Sequence, residues 1–210
     1  MIDEAKAAAN RAARMAKKQA HLRAVYDRHV GRLRALAERD GLAIARDCHA
    51  AIDDYLARDL AQNPPLEDIR CAKGCSHCCH GPVEIAAHEA ALLIDVVRAS
   101  GRPLDEERLQ RQSHYTVDTW REQPPADRAC VFLGGDGACT VYASRPDACR
   151  KLLVTSPPVF CDADRNAAHL VDRWFSREAE MMASAALEVF GLDLMPRALL
   201  AAARGKNAAE

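Results

Sequence analysis

The chain has 210 residues, of which 49% are apolar, so it can bury the core of one domain with or without a helical extension. Its formal net charge is −1, which favours neither nucleic acid nor an anionic membrane as a partner. No apolar stretch approaches the roughly 20 residues that span a bilayer, and the first residues lack the apolar segment of a secretory signal. We therefore expect a cytoplasmic protein without membrane contact.

Residues 1–63 predict an N-terminal helical hairpin. They are rich in alanine, arginine and leucine, and Asn63-Pro64-Pro65 ends the region. Asp40-Gly41 interrupts the helical pattern, and the second helix is predicted from about residue 42 to residue 60. The apolar residues at helical spacing are Met15, Leu22, Leu33 and Leu36 in the first helix, and Ile44, Ile52 and Leu56 in the second.

Residues 64–163 form the predicted cysteine-rich domain, where cysteine, glycine and proline alternate with short apolar runs. Within it, residues 87–99 and 105–120 predict helices. Residues 130–133 and 138–142 predict two short strands, and the glycine-rich segment between them suits the turn of a β-hairpin.

Residues 164–210 predict a C-terminal helix and tail. Leu170, Trp174, Met181 and Ala185 indicate an amphipathic helix that ends near Gly191, and the tail from residue 198 is expected to fray. The predicted fold is mainly α, with the helical hairpin and the C-terminal helix packed around a cysteine-rich metal-binding centre that holds a small β-hairpin.

Eight of the nine cysteines fall within one central stretch and are the candidate metal ligands. In a reducing compartment such clustering favours metal over the disulfides of small secreted proteins. The candidates are Cys71, Cys75, Cys78, Cys79, Cys130, Cys139, Cys149 and Cys161. Four of them lie in Cys-Ala-Lys-Gly-Cys-Ser-His-Cys-Cys, whose short gaps let one loop wrap several thiolates around a metal centre.

The count of thiols allows two four-cysteine sites, or one site with supporting cysteines. The favoured first ligands are Cys71, Cys75, Cys78 and Cys149, with the other four in a second site or in supporting positions. The ninth cysteine, Cys48, lies four residues from both Ile44 and Ile52, so it is expected in the core.

Residues other than cysteine offer weaker candidates. Arg150 directly follows Cys149 and is the preferred cation to donate hydrogen bonds to sulfur or to a bound cofactor. His77 and His80 flank the adjacent cysteines and could replace a thiolate. The remaining histidines, His49 among them, carry no ligand spacing and are interpreted as background.

These motifs resemble the YkgJ-type cysteine-cluster family of zinc- or iron-chelating domains. The resemblance covers roughly residues 66–162, and its later blocks are 130–133, 137–142 and 145–150. It implies metal chelation by the cysteines. A related protein, flagellin lysine N-methylase, has a similar cysteine motif and implies an iron-sulfur cluster and methyl transfer.

The spacing of Cys71, Cys75 and Cys78 also looks like the three-cysteine motif of radical S-adenosylmethionine enzymes. Those enzymes continue with alternating strands and helices, whereas this sequence continues mainly as helix.

Three functions remain open from the sequence. The first is an iron-sulfur protein, with a cluster such as 4Fe-4S, that transfers electrons or supports a reaction. The second is a zinc-stabilised module without catalysis that contacts a protein partner. The third is catalysis by cysteine, through thiol redox or methyl transfer. No motif identifies a reaction, so the enzyme class stays undecided; nucleic acid is not a favoured partner.

Overall fold

The protein is mainly helical, which confirms the predicted fold class. The computed structural model describes residues 2–37, 40–162, 164–165 and 170–205. The helices in these ranges are α1 (Ile2–Leu36), α2 (Gly41–Gln62), α3 (Ala87–Ser100), α4 (Glu106–Ser113), α5 (Pro125–Arg128), α6 (Asp147–Arg150), α7 (Arg177–Phe190) and α8 (Met195–Ala203). Within these ranges, no helix combines the length and apolarity needed to cross a lipid bilayer.

Helices α1 and α2 span the region of the predicted hairpin, and side chains of the two helices contact each other. The Asp40 side chain caps α2 by accepting a hydrogen bond of 2.9 Å from the backbone N–H of Leu42. His29 Nε2 lies 2.8 Å from the Tyr55 hydroxyl, and Arg32 forms an ion pair with Asp47. Polar contacts between side chains therefore join the two helices.

The first apolar core lies between α1, α2 and α7. Its members include Leu33, Ile44, Ile52 and Met182, all buried. Cys48 is fully buried in this core, as predicted. The apolar face predicted for α1 began too early in the chain. Met15, which was assigned to that face, is 56% exposed.

The second apolar core lies between α3, α4 and α8 and supports the cysteine-rich segments. Leu93, Leu109 and Leu199 are fully buried in it, and Cys130 and Cys139 pack against its edge. The core therefore forms a rigid base under the later cysteines.

The strands are short and differ from the predicted hairpin. Strand β1 (Glu84–Ile85) pairs antiparallel with β4 (Asp193–Leu194), and β2 (Leu153–Val154) pairs antiparallel with β3 (Arg173–Trp174). Both pairs join distant parts of the chain, so neither is a hairpin.

The predicted hairpin at 130–142 is reduced to one antiparallel bridge between Leu133 and Cys139. Its turn is closed by a 2.8 Å bond from Gly134 N to Ala138 O, and Gly137 adopts the left-handed φ of +77°. The strands stay short because the backbone N–H of Cys130 donates to Cys79 O at 2.8 Å instead of to a partner strand.

Two helix boundaries differ from the sequence prediction. Helix α4 ends at Ser113 because Thr116 and Thr119 exchange local side-chain hydrogen bonds with the backbone, at 2.9 and 3.1 Å. Helix α7 begins only after Ser176, whose side chain accepts a bond of 3.1 Å from Ala179 N.

The apolar face predicted for the C-terminal helix was therefore wrong in its first two residues, which precede α7. Leu170 is 89% exposed and Trp174 lies in β3, before the helix. The predicted tail is helical to Ala203, and its last residues, 206–210, lie outside the described residues, as does His169.

Replacing Ile52 with alanine should lower the free energy of unfolding by about 2–5 kcal/mol, because it leaves a cavity in the first core. Met15→Ala, on the exposed half of α1, should change it by at most about 0.5 kcal/mol. Urea denaturation of both variants at equal metal content measures the difference. Equal destabilisation would contradict the assignment of this core.

Candidate metal centre

Seven of the eight clustered cysteines line one cavity of about 120 Å³. They are Cys71, Cys75, Cys78, Cys79, Cys130, Cys139 and Cys149. Much of the remaining lining is apolar and includes Val83, Phe132 and Met195. The eighth, Cys161, lies in an adjacent cleft that also contains Cys78. The candidate cysteines therefore converge in space.

The first four cysteines are arranged by a tight loop. The backbone N–H of Cys75 donates to Ala72 O at 3.0 Å, and Gly74 between them adopts a φ of +94°, which glycine tolerates best. A single 3₁₀ turn, His77–His80, follows and carries the adjacent pair Cys78-Cys79. The spacing noted in the sequence thus corresponds to a turn followed by a short helix.

Hydrogen bonds tie this loop to the later cysteine segments. The bond from Cys130 N to Cys79 O joins the loop directly to the second cysteine segment. The indole N–H of Trp120 donates to His80 O at 3.0 Å, so a buried aromatic side chain fixes the end of the loop. Cys149 reaches the cavity from α6.

Backbone N–H groups face three of the sulfurs. Val154 N donates to Cys71 Sγ at 3.2 Å. The N–H groups of Phe132 and Val141 face the side chains of Cys130 and Cys139, each two residues earlier in the chain. Such donors stabilise a thiolate, so they suit sulfurs that bind metal.

Burial opposes ionisation of the thiols when no metal is bound. It raises the pKa of Cys130 and Cys149 to about 12 and that of Cys161 to about 11. Burial also raises the pKa of Cys71 and Cys139, and the hydrogen bond between the side chains of Cys78 and Cys79 is the main cause of a raised pKa at Cys78. Burial therefore favours the protonated form of these particular thiols until a metal replaces the protons.

Electrostatic effects among the thiols divide them into two groups that share Cys78. One contains Cys71, Cys75 and Cys161, and the other contains Cys130, Cys139 and Cys149. Cys149 interacts electrostatically with Cys78 and Cys139, and the favoured ligand set of Cys71, Cys75, Cys78 and Cys149 stays a prediction.

The sulfurs are spread more widely than the ligands of one small ion. A Zn–S bond of about 2.3 Å places the sulfurs of a tetrahedral site about 3.8 Å apart. Among the described residues, no three cysteine sulfurs lie within 4.8 Å of one another. The cavity therefore has room between its thiols for more than one ion.

Arg145, rather than Arg150, lines the cavity. Its guanidinium lies 4.1 Å from the centre of the Tyr142 ring, and its Nη1 donates to Tyr142 O at 3.1 Å. Its positive charge acts to lower the pKa of Cys71, Cys139 and Cys149 against the effect of burial. Arg150 is buried elsewhere and donates to Asp53 at 2.7 Å and to Ala143 O at 2.6 Å.

A cleft of about 440 Å³ adjoins the cavity at Cys78. His77 and His80, the alternative ligands, line this cleft and are absent from the described lining of the cavity. His77 Nδ1 lies 3.8 Å from an oxygen of Asp162. Because Cys78 belongs to both linings, the cleft connects the cysteine cavity with solvent.

Sequence reasoning missed a second cluster of potential ligands, formed by His49, Glu89 and Asp147. All three are buried. Burial, with the negative charge of Glu89 as the next cause, raises the pKa of the Asp147 carboxyl. No local motif could have revealed this cluster, because its members come from α2, α3 and α6.

Comparison with known proteins identifies the central segment. Residues 70–168 match the model of the CxxCxxCC family, described as a "putative zinc- or iron-chelating domain". This match supports the predicted resemblance to a cysteine-cluster family and metal binding by the cysteines of this segment. No curated protein and no solved structure matches the chain.

Metal loading of the metal-free protein should release protons, because protonated thiols must become thiolates to bind. Since burial raises the thiol pKa values, metal affinity should be low at acidic pH and increase with pH. A pH indicator in weakly buffered solution measures the protons released by added Zn²⁺. The control variant Cys48→Ser should release the same number of protons. Zn²⁺ binding without proton release would contradict the prediction that the thiols are protonated before metal binds.

Proposed function

We propose that this protein is an iron-sulfur protein whose cluster, such as 4Fe-4S, occupies the cysteine cavity. The observation that carries the proposal is the convergence of seven thiols on one cavity, with a spacing too wide for one four-coordinate ion. An iron-sulfur cluster places several iron and sulfide atoms between its cysteine ligands, so its thiolates stand farther apart than those of a mononuclear zinc site.

The volume of the cavity supports a polynuclear centre. Its volume of about 120 Å³ is several times the ~30 Å³ that one water molecule takes up in the liquid. A single metal ion would leave most of this space empty, whereas a cluster would fill more of it. The apolar residues and N–H donors around the sulfurs are the features that adjust the potential of a bound cluster.

The adjacent cleft supports a centre that reacts with a small molecule. A cluster supplies one-electron chemistry when bound, and Cys78 is reached from the cleft. Arg121 lies in the same cleft and offers positive charge to an anionic reactant, whereas Arg128 there is paired with Asp164. Redox chemistry is therefore the function favoured here, with methyl transfer as the narrower expectation from the family resemblance.

A zinc-stabilised module is the alternative function. Residues 4–21 of α1 are exposed and carry many charged side chains, so they offer a surface for a protein partner. Thiolates bind zinc as well as iron, so the donor type alone does not separate the two functions. Metal analysis separates the two functions.

Protein purified without oxygen should be brown, with several iron atoms and a similar amount of sulfide per chain. Cys75→Ser should lose most of this iron because Cys75 lines the cavity, whereas Cys48→Ser should retain it because Cys48 lies in the first core. Elemental analysis and an absorption spectrum under nitrogen measure both. A colourless protein with stoichiometric zinc and no sulfide would exclude the iron-sulfur proposal.

The position of Cys161 outside the cavity leads to a second prediction. Cys161→Ser should retain more metal than Cys149→Ser, because only Cys149 lines the cavity. The two variants carry the same chemical change, so each serves as the control for the other. Equal losses would place Cys161 among the ligands of the main centre.

A further inference from the structure

The cluster of His49, Glu89 and Asp147 lies outside the lining of the cysteine cavity and has the geometry of a metal site. His49 Nε2 lies 3.5 Å from Asp147 Oδ1 and 3.9 Å from Glu89 Oε1, and all three ligand atoms lie within 4.8 Å of one another. An ion about 2.1 Å from each ligand separates neighbouring ligands by about 3.4 Å in a tetrahedral site. The two distances from His49 Nε2 are close to this value.

Two of the three ligand atoms have no hydrogen-bond partner to explain their burial. His49 and Asp147 are 7% and 6% exposed, and in the described part of the chain neither His49 Nε2 nor Asp147 Oδ1 forms a hydrogen bond. Their separation of 3.5 Å is too long for a good hydrogen bond. Buried polar atoms normally have a partner, so these two indicate that a ligand belongs between them.

Glu89 is held in place by the backbone. Its Oε2 accepts a bond of 2.9 Å from Ala86 N, and its Oε1 accepts one of 2.8 Å from Asp147 N. Each carboxylate oxygen has a second lone pair, so Oε1 can still bind an ion. The site is therefore preorganised, with α3 and α6 fixed relative to each other.

The charges around the cluster favour a cation. Glu89 and Asp147 are buried carboxylates, and the nearby guanidinium of Arg150 is already paired with Asp53 at 2.7 Å. The next cation along the chain, Lys151, is paired with Glu180 at 2.6 Å. Glu89 and Asp147 thus lack a cation of their own, and a divalent ion would stabilise the ionised form of both carboxylates.

A cleft of about 150 Å³ gives the cluster an access route from solvent. Glu89 and Asp147 line it together with Glu84 and with the ion pair of Lys151 and Glu180, so carboxylates outnumber cations in its lining. Acidic side chains along the route favour the approach of a cation.

We propose that His49, Glu89 and Asp147 bind one divalent ion, Mn²⁺ or Fe²⁺, at a site separate from the cysteine cavity. One imidazole and two carboxylates suit these harder ions, whereas thiolates select zinc and iron-sulfur clusters. Through α6 the ion is linked to Cys149, which lies two residues after Asp147.

Ion binding requires one rearrangement at His49. Arg150 Nη2 lies 3.3 Å from His49 Nδ1, and because a guanidinium can only donate, the neutral ring carries its proton on Nε2. When the ion binds Nε2, the ring proton moves to Nδ1 with no net loss of a proton. Arg150 then keeps Asp53 and Ala143 O as acceptors and loses only its contact with His49 Nδ1, which is the longest of the three.

The test uses MnCl₂ as the probe and the full chain with its cysteine-bound metal in place. In a titration of the protein with MnCl₂, the electron paramagnetic resonance signal of free Mn²⁺ gives the amount of unbound ion. The binding curve should show one tight site per chain. His49→Gln and Asp147→Asn should each weaken it at least about tenfold, by loss of a ligand. Asp95→Asn is the matched control, because it removes an exposed ion pair between α2 and α3 at Arg46 and should leave the affinity unchanged.

A second measurement needs no variant and so does not depend on whether the variants fold. Pulsed electron paramagnetic resonance of Mn²⁺ bound to the unmodified protein should show coupling to one directly bound nitrogen, from His49. Absence of Mn²⁺ binding, absence of this coupling, or unchanged affinity in both ligand variants would overturn the proposal. Since Mn²⁺ is a poor ion for thiolates, the result is independent of what the cysteine cavity holds.

Discussion

The structure depends on holding many partly buried thiols close together around one cavity. Burial favours the protonated form of thiols such as Cys130 and Cys149, so binding as thiolates requires that a metal replaces their protons. Hydrogen bonds between distant segments enforce this arrangement without metal. The bonds from Cys130 N to Cys79 O and from Val154 N to Cys71 Sγ each join two cysteine-bearing parts of the chain.

The helices supply the rigidity that the cysteine-rich segments lack. The core of α3, α4 and α8 supports Cys130 and Cys139, and Met195 at the start of α8 contributes to the cavity itself. Helix α6 links this region to the buried cluster of His49, Glu89 and Asp147. It is a single turn of helix, so its position is set by its partners rather than by its own helical stability.

Helix prediction succeeded where apolar periodicity was long and failed where local side chains compete with the backbone. The periodicity of α2 and α3 predicted both helices to within two residues at each end. The start of α7 was missed because Leu170 and Trp174 have helical spacing but precede the cap at Ser176. The strands were missed because they pair across the chain, as Glu84 does with Leu194.

The sequence by itself determined the donor type: eight cysteines in one stretch, with a loop whose gaps and glycine suit a metal centre. Only the tertiary structure decided which sulfurs are neighbours, that Cys161 lies in a cleft beside the cavity, and that Arg145 faces the thiols while Arg150 turns toward Asp53. It also brought His49 next to two carboxylates from other helices. Spacing along the chain limits contacts within a loop or helix, whereas contacts between distant segments depend on how whole elements pack.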